Sequence, residues 1–378
     1  MTEPFDVQQT IRLVFGAGSL DRVGQLALDL CGTRVALISD PGIEEIGYVD
    51  QARRALINAG LDVLVFTDVH ENPTTDDVAR GVQAVSRFQP DLLVALGGGS
   101  AMDCAKGINF LLSNGGAMED YWGFGKATKP MIPSIGIPTT AGTGSDGQSY
   151  ALISRAADHK KMACGDIQAR FRTVILDADL PASAPRAVIA ASSLDAMAHA
   201  LESYVSTRAN PLSRMYASHA WRLLHSGVDE IADGKADNSA WGDMLLGAHF
   251  AGCAIEASML GAAHACANPL TARYGITHGV AVSLMLPAVL RGNNELMAHR
   301  YARLAQDACL SGPKPGHALA AYVQSIKARL GLPERIAQVA QVGDWSELVD
   351  DAMTQWTGTF NPRPLDREWV KLLYEEVA

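Results

Sequence analysis

The sequence predicts a two-domain chain, in which an α/β half with a parallel sheet is followed by an all-helical half. Its 378 residues exceed what one ordinary core holds. The first half alternates short apolar runs with helical stretches, and the strand signals stop after about Pro181. Near-continuous apolar strands separated by helices are typical of a parallel sheet covered on both faces. We therefore expect an α/β domain at residues 1–182 and an all-helical domain at residues 183–378.

Each element of the first half has a local signal. Apolar runs bounded by turn residues predict strands at residues 34–39, 62–66, 92–96, 134–138 and 173–177. The runs between them predict helices at residues 51–59, 75–88 and 101–112. From Pro185 onward, runs rich in Ala, Leu and Met predict helices that are broken by Pro and Gly.

Composition excludes several classes of protein. The formal net charge of −10 argues against a nucleic-acid or anionic-membrane surface. No apolar stretch has the length of a membrane span, and the polar, acidic residues 1–6 are unlike a signal peptide. The six cysteines are scattered and form no Cys-x-x-Cys pair, so we expect reduced thiols in a cytoplasmic protein.

A glycine-rich turn joins the third predicted strand to a helix at Gly97-Gly98-Gly99-Ser100. Glycines let the backbone approach a ligand, and a helix start presents free N–H groups, so this turn can hold a phosphate. Asp103 and Lys106 follow on the helix. They form either a surface ion pair or a brace for the loop.

An earlier segment, Gly16-Ala17-Gly18, resembles the start of a Rossmann fingerprint. Its sixth position is Asp21 rather than glycine, so we interpret it as a turn. Residues 138–145 form a second small-residue loop after a strand, and Asp40 ends another strand. A carboxylate there can accept a ribose hydroxyl or cap a turn.

Four residues suggest a metal centre: Asp195, His199, His264 and His278. Asp195 and His199 stand at i, i+4 in a segment without Gly or Pro, which places them on one helix face. His264 follows a helical run at residues 244–263, and His278 lies just beyond in a Thr-His-Gly segment. One carboxylate and three imidazoles suit a divalent transition metal with room for a substrate oxygen.

Taken together, these residues resemble the iron-dependent (group III) alcohol dehydrogenase family over nearly the whole chain. The resemblance rests on Asn72-Pro73, Gly97-Gly98-Gly99-Ser100-x-x-Asp103-x-Ala105-Lys106, residues 138–145, Asp195-x-x-x-His199, His264 and Thr277-His278-Gly279. It implies a dinucleotide-binding α/β domain and an all-helical domain, with metal and nicotinamide in the cleft between them. It also implies that the four residues named above are the metal ligands.

The resemblance implies NAD as cofactor, and Fe(II) as the metal with Zn(II) as an alternative. The residues expected to bind the cofactor are Asp40, Asn72, Gly98, Gly99, Ser100, Asp103, Thr139, Thr140 and Lys161.

Two positions depart from the family pattern. Many members carry a second histidine four residues after the third ligand, where this chain has Asn268. Asn cannot titrate, so a proton relay must use another group or water. Glu256 also replaces a neutral residue. Positions 256, 260 and 264 share one helix face, so Glu256 either lies beside the metal ligands or stands at a hydrated rim.

We therefore expect a metal-dependent, NAD-linked alcohol dehydrogenase or aldehyde reductase, acting on a small alcohol or aldehyde and forming a homodimer. One alternative is a lyase resembling dehydroquinate synthase, whose ligand set contains a Glu where this chain has Asp195. Another is a non-catalytic metal-binding or filament-forming assembly protein. The sequence leaves plain and acidic alcohols equally open as substrates.

Overall fold

The structure is a computed structural model that describes Phe5 and residues 11–158 and 160–378. Apart from Phe5, the residues 1–6 that argue against a signal peptide lie outside this part of the chain. Two compact units are present, and the boundary between them in the sequence falls between Ala184 and Pro185.

The first unit is an α/β unit with nine strands in its described part. The strands are β1 (Arg12–Phe15), β2 (Arg34–Ile38), β3 (Asp62–Phe66), β4 (Leu92–Gly97), β5 (Gly123–Phe124), β6 (Ser134–Pro138), β7 (Tyr150–Ser154), β8 (Lys161–Gly165) and β9 (Thr173–Leu176). The helices are α1 (Val23–Asp29), α2 (Pro41–Glu45), α3 (Tyr48–Asn58), α4 (Thr75–Val85) and α5 (Gly99–Asn114). The five predicted strands and three predicted helices are confirmed, with ends shifted by a few residues.

Six strands form one parallel sheet in the order β1-β9-β6-β4-β2-β3. Its core strands are apolar on both faces because helices cover both, and every residue of β4 is buried. The strand order reverses at β2 and β4: the chain passes from β2 outward to β3 and returns to β4 on the other side. In open α/β sheets, ligands bind beyond the carboxyl ends of strands at such a reversal.

Two features of this unit differ from the sequence prediction. The segment before Gly16 is strand β1, which pairs with β9 through the register Leu13↔Val174. The sequence pattern did not predict this strand because it is short, with Leu13 and Phe15 exposed and only Val14 buried. A second sheet, β5-β8-β7, also went unpredicted. Its hairpin strands alternate buried and half-buried residues, whereas the prediction relied on continuous apolar runs.

The second unit is helical, and no strand occurs in the described chain after Leu176, which confirms the predicted fold class. Its helices are α6 (Arg186–Val205), α7 (Pro211–Ala232), α8 (Asn238–Ser258), α9 (Ala262–Tyr274), α10 (His278–Gly292), α11 (Asn294–Asp307), α12 (Pro315–Leu330), α13 (Trp345–Thr354) and α14 (Arg367–Glu376).

The predicted helical run through residues 244–263 is wrong, because the chain breaks between α8 and α9. Met259 has φ 77°, a left-handed conformation that ends α8, and α9 then leaves at 104°. His264 therefore lies in the first turn of a new helix.

Within the described residues, no single helix is long and apolar enough to cross a membrane, and only the bent pair α8 and α9 passes by length and composition. Most residues of both helices are buried within the protein.

Candidate metal centre and nucleotide site

Helix α6 carries two of the predicted ligands in its buried middle. Asp195 and His199 are 3% and 5% exposed, and their i, i+4 spacing brings His199 Nε2 to 3.5 Å from Asp195 Oδ1. The helix tolerates almost complete burial because its sequence is rich in small and apolar residues. It therefore holds both side chains on a rigid element inside the core.

The other two predicted ligands lie at helix starts. His264 is in the first turn of α9, and His278 is the first residue of α10. The next residue, Gly279, allows α10 to approach α6 closely: a Cβ built at Gly279 would lie 2.2 Å from the carbonyl oxygen of Ala191. Because Ala191 is one turn before Asp195, this close approach brings His278 to the ligand cluster.

The three imidazoles converge on one oxygen of the Asp195 carboxylate. His264 Nε2 lies 3.3 Å from Asp195 Oδ1, and His278 Nε2 lies 3.8 Å from it. The rings of His199 and His264 stack with centroids 4.9 Å apart. Asp195, His199 and His264 form the one group of possible ligand atoms found in the described residues, all within 4.8 Å of one another.

This arrangement fits a divalent metal ion. Two ligand atoms bound tetrahedrally at zinc-like distances lie roughly 3.4 Å apart, close to the separations observed here. Asp195 Oδ1 and His264 Nε2 are buried and make no hydrogen bond. Buried polar atoms without partners are costly, and a shared cation would satisfy both. The donors are oxygen and nitrogen with no thiolate, which suits Fe(II) or Zn(II).

The charges at the cluster are strongly coupled. Burial raises the pKa of the Asp195 carboxyl, but the imidazoles of His199, His278 and His264 outweigh it and hold that pKa far below its usual range. Burial lowers the pKa of His264, whereas the carboxylates of Glu202 and Asp195 raise it to about 9. Asp195 is therefore anionic at neutral pH, and a metal ion that bound His264 Nε2 would have to displace a proton from the ring.

Glu202 is a neighbour of the cluster that the sequence analysis missed. It is 4% exposed, and its Oε2 lies 2.5 Å from His264 Nδ1. A signal for it was present, since position 202 follows His199 by three residues and so shares the face of α6 that bears the ligands. The sequence pattern had instead suggested Glu256 as a candidate for the carboxylate beside the ligands. The break between α8 and α9 removes the shared face of positions 256, 260 and 264, so the reason for placing Glu256 beside the ligands is wrong.

Asn268 stands one turn after His264 on α9, as the spacing implied. Its side-chain amide donates to Gln355 Oε1 at 3.0 Å. The position thus holds a neutral hydrogen-bonding pair and no titratable group among its bonded partners.

In the α/β unit, the glycine turn lies at the point where the strand order reverses. Gly97 ends β4 with φ 148°, and a Cβ there would lie 2.9 Å from Asp40 Oδ2. Asp40 follows β2 and caps α2 by accepting from the Ile43 N–H at 3.1 Å. Burial raises the pKa of Asp40, against the opposing effect of its backbone hydrogen bonds. Asp40 therefore acts as a helix cap and also lies beside the turn.

Helix α5 begins at Gly99 directly after the turn, so its first N–H groups face the end of the sheet. A Cβ at Gly99 would lie 2.5 Å from the Thr143 side chain, which explains the need for glycine. The Thr139 N–H donates to the Gly97 carbonyl at 2.9 Å, and Thr140 lies against Gly98. The structure brings these predicted residues together.

Two further predicted residues meet beside the same turn, and a third lies on the neighbouring small sheet. The Asn72 N–H donates to Ser100 Oγ at 3.2 Å, and Asn72 adopts a left-handed φ of 52°. Lys161 begins β8 opposite Ser154, which bridges to Thr74 two residues after Asn72. The small sheet thus places Lys161 near the Asn72 segment.

Asp103 and Lys106 are buried, so the surface ion pair considered from the sequence is wrong. Ser145 Oγ donates to Asp103 Oδ1 at 2.6 Å. Lys106 Nζ lies within hydrogen-bonding distance of the carbonyl oxygens of Ser145, Gln148 and Tyr150 and of Ser145 Oγ. Burial raises the pKa of Asp103, and Lys106 and Ser145 oppose that rise. The two side chains brace the segment from Ser145 to Tyr150 rather than the glycine turn.

Comparison with known proteins matches both units to models of one protein family. The model of the iron-containing alcohol dehydrogenase family matches residues 10–178, and the model of that family's C-terminal domain matches residues 189–378. Alcohol dehydrogenase 4 of Schizosaccharomyces pombe is 33% identical over 96% of this chain and 86% of its own length. The NAD-dependent methanol dehydrogenase of Bacillus methanolicus is 30% identical over 78% of this chain and 77% of its own length. The crystal structure of a 1,3-propanediol oxidoreductase superposes with a TM-score of 0.93 at 27% identity, covering 97% of this chain and 98% of the other.

Proposed function

Because the chain belongs to the iron-containing alcohol dehydrogenase family, an oxidoreductase family, we propose that it transfers a hydride between an alcohol or aldehyde and NAD at a divalent metal site. The observation that carries this proposal is the convergence of three imidazole Nε2 atoms on the buried oxygen Asp195 Oδ1. Buried oxygen and nitrogen atoms that lack hydrogen-bond partners are satisfied when they coordinate a divalent cation.

We propose that Asp195, His199, His264 and His278 hold the metal, with Fe(II) or Zn(II) as the ion. When bound, that ion supplies Lewis-acid polarisation of the substrate oxygen. The chain's own contribution is to fix the donors on three buried helix segments, so that little reorganisation accompanies binding. Burial of Asp195, His199 and His264 also excludes bulk water from one side of the site.

We propose that the cofactor is NAD and that it binds at the strand reversal of the α/β unit. The free N–H groups at the start of α5 would hold the pyrophosphate beside Gly98, Gly99 and Ser100. Asp40 would accept from a ribose hydroxyl and disfavour a 2′-phosphate. The proposed contacts of Asn72, Thr139 and Thr140 rest on the family resemblance and on their placement beside this turn. Those of Asp103 and Lys161 rest on the family resemblance, because Asp103 bonds to Ser145 and Lys161 lies on β8.

The substrate proposed is a small-molecule alcohol or aldehyde. By their names, two of the proteins compared above act on methanol and on 1,3-propanediol. Asn268 would hold or orient a substrate oxygen by hydrogen bonding rather than move a proton, because its amide does not titrate.

We also propose that the protein works in the cytoplasm as a homodimer. All six cysteines are free thiols, and Cys31 and Cys309 are exposed, which suits a reducing compartment. Strand β1 is a sheet edge that exposes Leu13 and Phe15, and a second copy of the chain could cover such an edge.

The test is an absorbance assay of NADH formation with a panel of small alcohols, before and after chelation. We expect activity to disappear on chelation and to return with Fe(II) or Zn(II). Full activity in protein shown to be metal-free by elemental analysis would refute the metal site. Metal binding without NADH turnover on any alcohol would favour a non-catalytic protein, and NAD dependence without net NADH formation would favour a lyase of the dehydroquinate-synthase type.

A further inference from the structure

We infer that Glu202 is a positioning residue of the metal centre, which orients His264 and fixes its tautomer so that Nε2 is the ligand atom. This inference rests on the proposed metal site. Glu202 makes no direct contribution to the ligand set: the atoms converging on Asp195 Oδ1 all come from histidines. Its effect reaches the metal only through His264.

The hydrogen bonds of Glu202 define this role. Its Oε2 lies 2.5 Å from His264 Nδ1, and its Oε1 accepts from the Ala263 N–H at 2.7 Å. An ionised carboxylate has no proton to give, so the hydrogen in the first contact belongs to Nδ1. The other ring nitrogen, Nε2, lies 3.3 Å from Asp195 Oδ1, and it is the one that would give up its proton and offer a lone pair to a metal ion beside that oxygen. A carboxylate partner also makes a ligating imidazole more basic.

The surroundings hold Glu202 in this position. A Cβ on Gly261 would lie 2.9 Å from Glu202 Oε1 and 3.0 Å from Asn361 Oδ1, so the glycine leaves room for both acceptors. Asn361 Oδ1 accepts from the Ala262 N–H at 3.3 Å, next to the bond from Ala263. Helix α9 has no cap from its own N-cap residue, and these two distant side chains replace it. The carboxylate therefore fixes both the start of α9 and the ring that α9 carries.

Charge supports the same role. Asp195 and Glu202 place two carboxylates within one buried cluster, and two negative charges match one divalent cation. Replacing Glu202 by Gln removes one charge at nearly constant shape. The amide oxygen can still accept one N–H, but the NH₂ group must then face the second donor. Either the cap of α9 or the orientation of His264 is lost.

The experiment measures binding of Co(II) to the metal-free full-length protein, by competition with a chelator and by the visible absorption of the bound ion. We expect Glu202→Gln to weaken Co(II) binding by about 10–100-fold and to change the absorption bands, because the imidazole of His264 is misplaced. Glu202→Asp keeps the charge but withdraws it by one methylene group, and we expect an affinity between those of wild type and Glu202→Gln.

Glu295→Gln is the matched control, since it makes the same chemical change at an exposed position of α11, and we expect wild-type affinity and spectrum. Melting temperatures of the metal-free variants report the loss of the cap separately. A purely structural Glu202 would lower the melting temperature and leave the cobalt spectrum unchanged, and that result would overturn the inference. If Glu202→Gln does not fold, a wild-type affinity and spectrum in Glu202→Asp would overturn it equally. Failure of the proposed metal site itself appears differently, as wild-type protein that binds no Co(II), and it overturns both.

Discussion

Gly279→Ala should disable the metal centre by moving a helix. The added Cβ would lie 2.2 Å from the Ala191 carbonyl oxygen and 2.6 Å from the carbonyl carbon. A carbon–oxygen contact normally needs about 3.3 Å, so α10 or α6 must shift by about 1 Å at this point. Both obstructing atoms are backbone, so a rotamer change cannot relieve the contact. Because His278 precedes the substituted residue and Asp195 lies one turn after Ala191, the shift separates two ligands.

A displacement of about 1 Å at a reacting centre can cost about 100-fold in rate, and overpacking adds about 1–3 kcal/mol of destabilisation. We expect kcat/KM to fall by about that factor and metal content per chain to fall with it. Gly292→Ala is the control, because it lies at the other end of α10 and the three atoms nearest to its Cβ would all belong to the Trp369 side chain, the first at 2.8 Å. It should lower stability and leave metal content unchanged. Wild-type metal content and kcat/KM in Gly279→Ala would refute this account of how α10 is placed.

Three further predictions, which use four substitutions, test the metal centre, the cofactor site and the buried lysine. Asp195→Ala should cost more activity than Asn268→Ala, since it removes the proposed anionic ligand. Steady-state kinetics and elemental analysis of both variants measure this difference. If Asn268→Ala is the more damaging while its metal content stays normal, the metal-centred account is incomplete. Asp40→Gly should raise the ratio of kcat/KM for NADP(H) to that for NAD(H). If the wild-type protein uses both cofactors equally, Asp40 does not select the cofactor and serves only as a helix cap. Lys106→Met should leave buried acceptors of the Ser145–Tyr150 segment unsatisfied, at a cost of about 1–3 kcal/mol each. The midpoint of denaturant unfolding should therefore fall. An unchanged midpoint would mean that water replaces the ammonium group.

Local sequence signals were sufficient for the elements that lie in the core. Strand β4 is apolar throughout because both of its faces are buried, and that pattern is visible without a structure. The i, i+4 pair of Asp195 and His199 was equally readable, because helix geometry alone places such residues on one face. The glycine turn after β4 was readable for a similar reason, since its strand–turn–helix context is local.

The sequence could not show where distant segments meet. Strand β1 exists because it pairs with β9, more than 150 residues later in the chain. The half-buried hairpin of β7 and β8 lacked the continuous apolar run of a core strand. The sequence left Lys106 as either a surface residue or a brace for the glycine loop, whereas the fold places the Ser145 segment around its ammonium group.

The sequence by itself therefore determined the fold class, the family resemblance and the four candidate ligands, because these depend on periodicity and on residue types at short spacings. Only the tertiary structure decided that α8 ends before α9, that Glu202 lies beside His264, and that Gly279 admits α10 to α6. The last two are contacts between segments far apart in the chain. Such contacts are set by packing and by the pairing of buried polar groups, which no local pattern encodes.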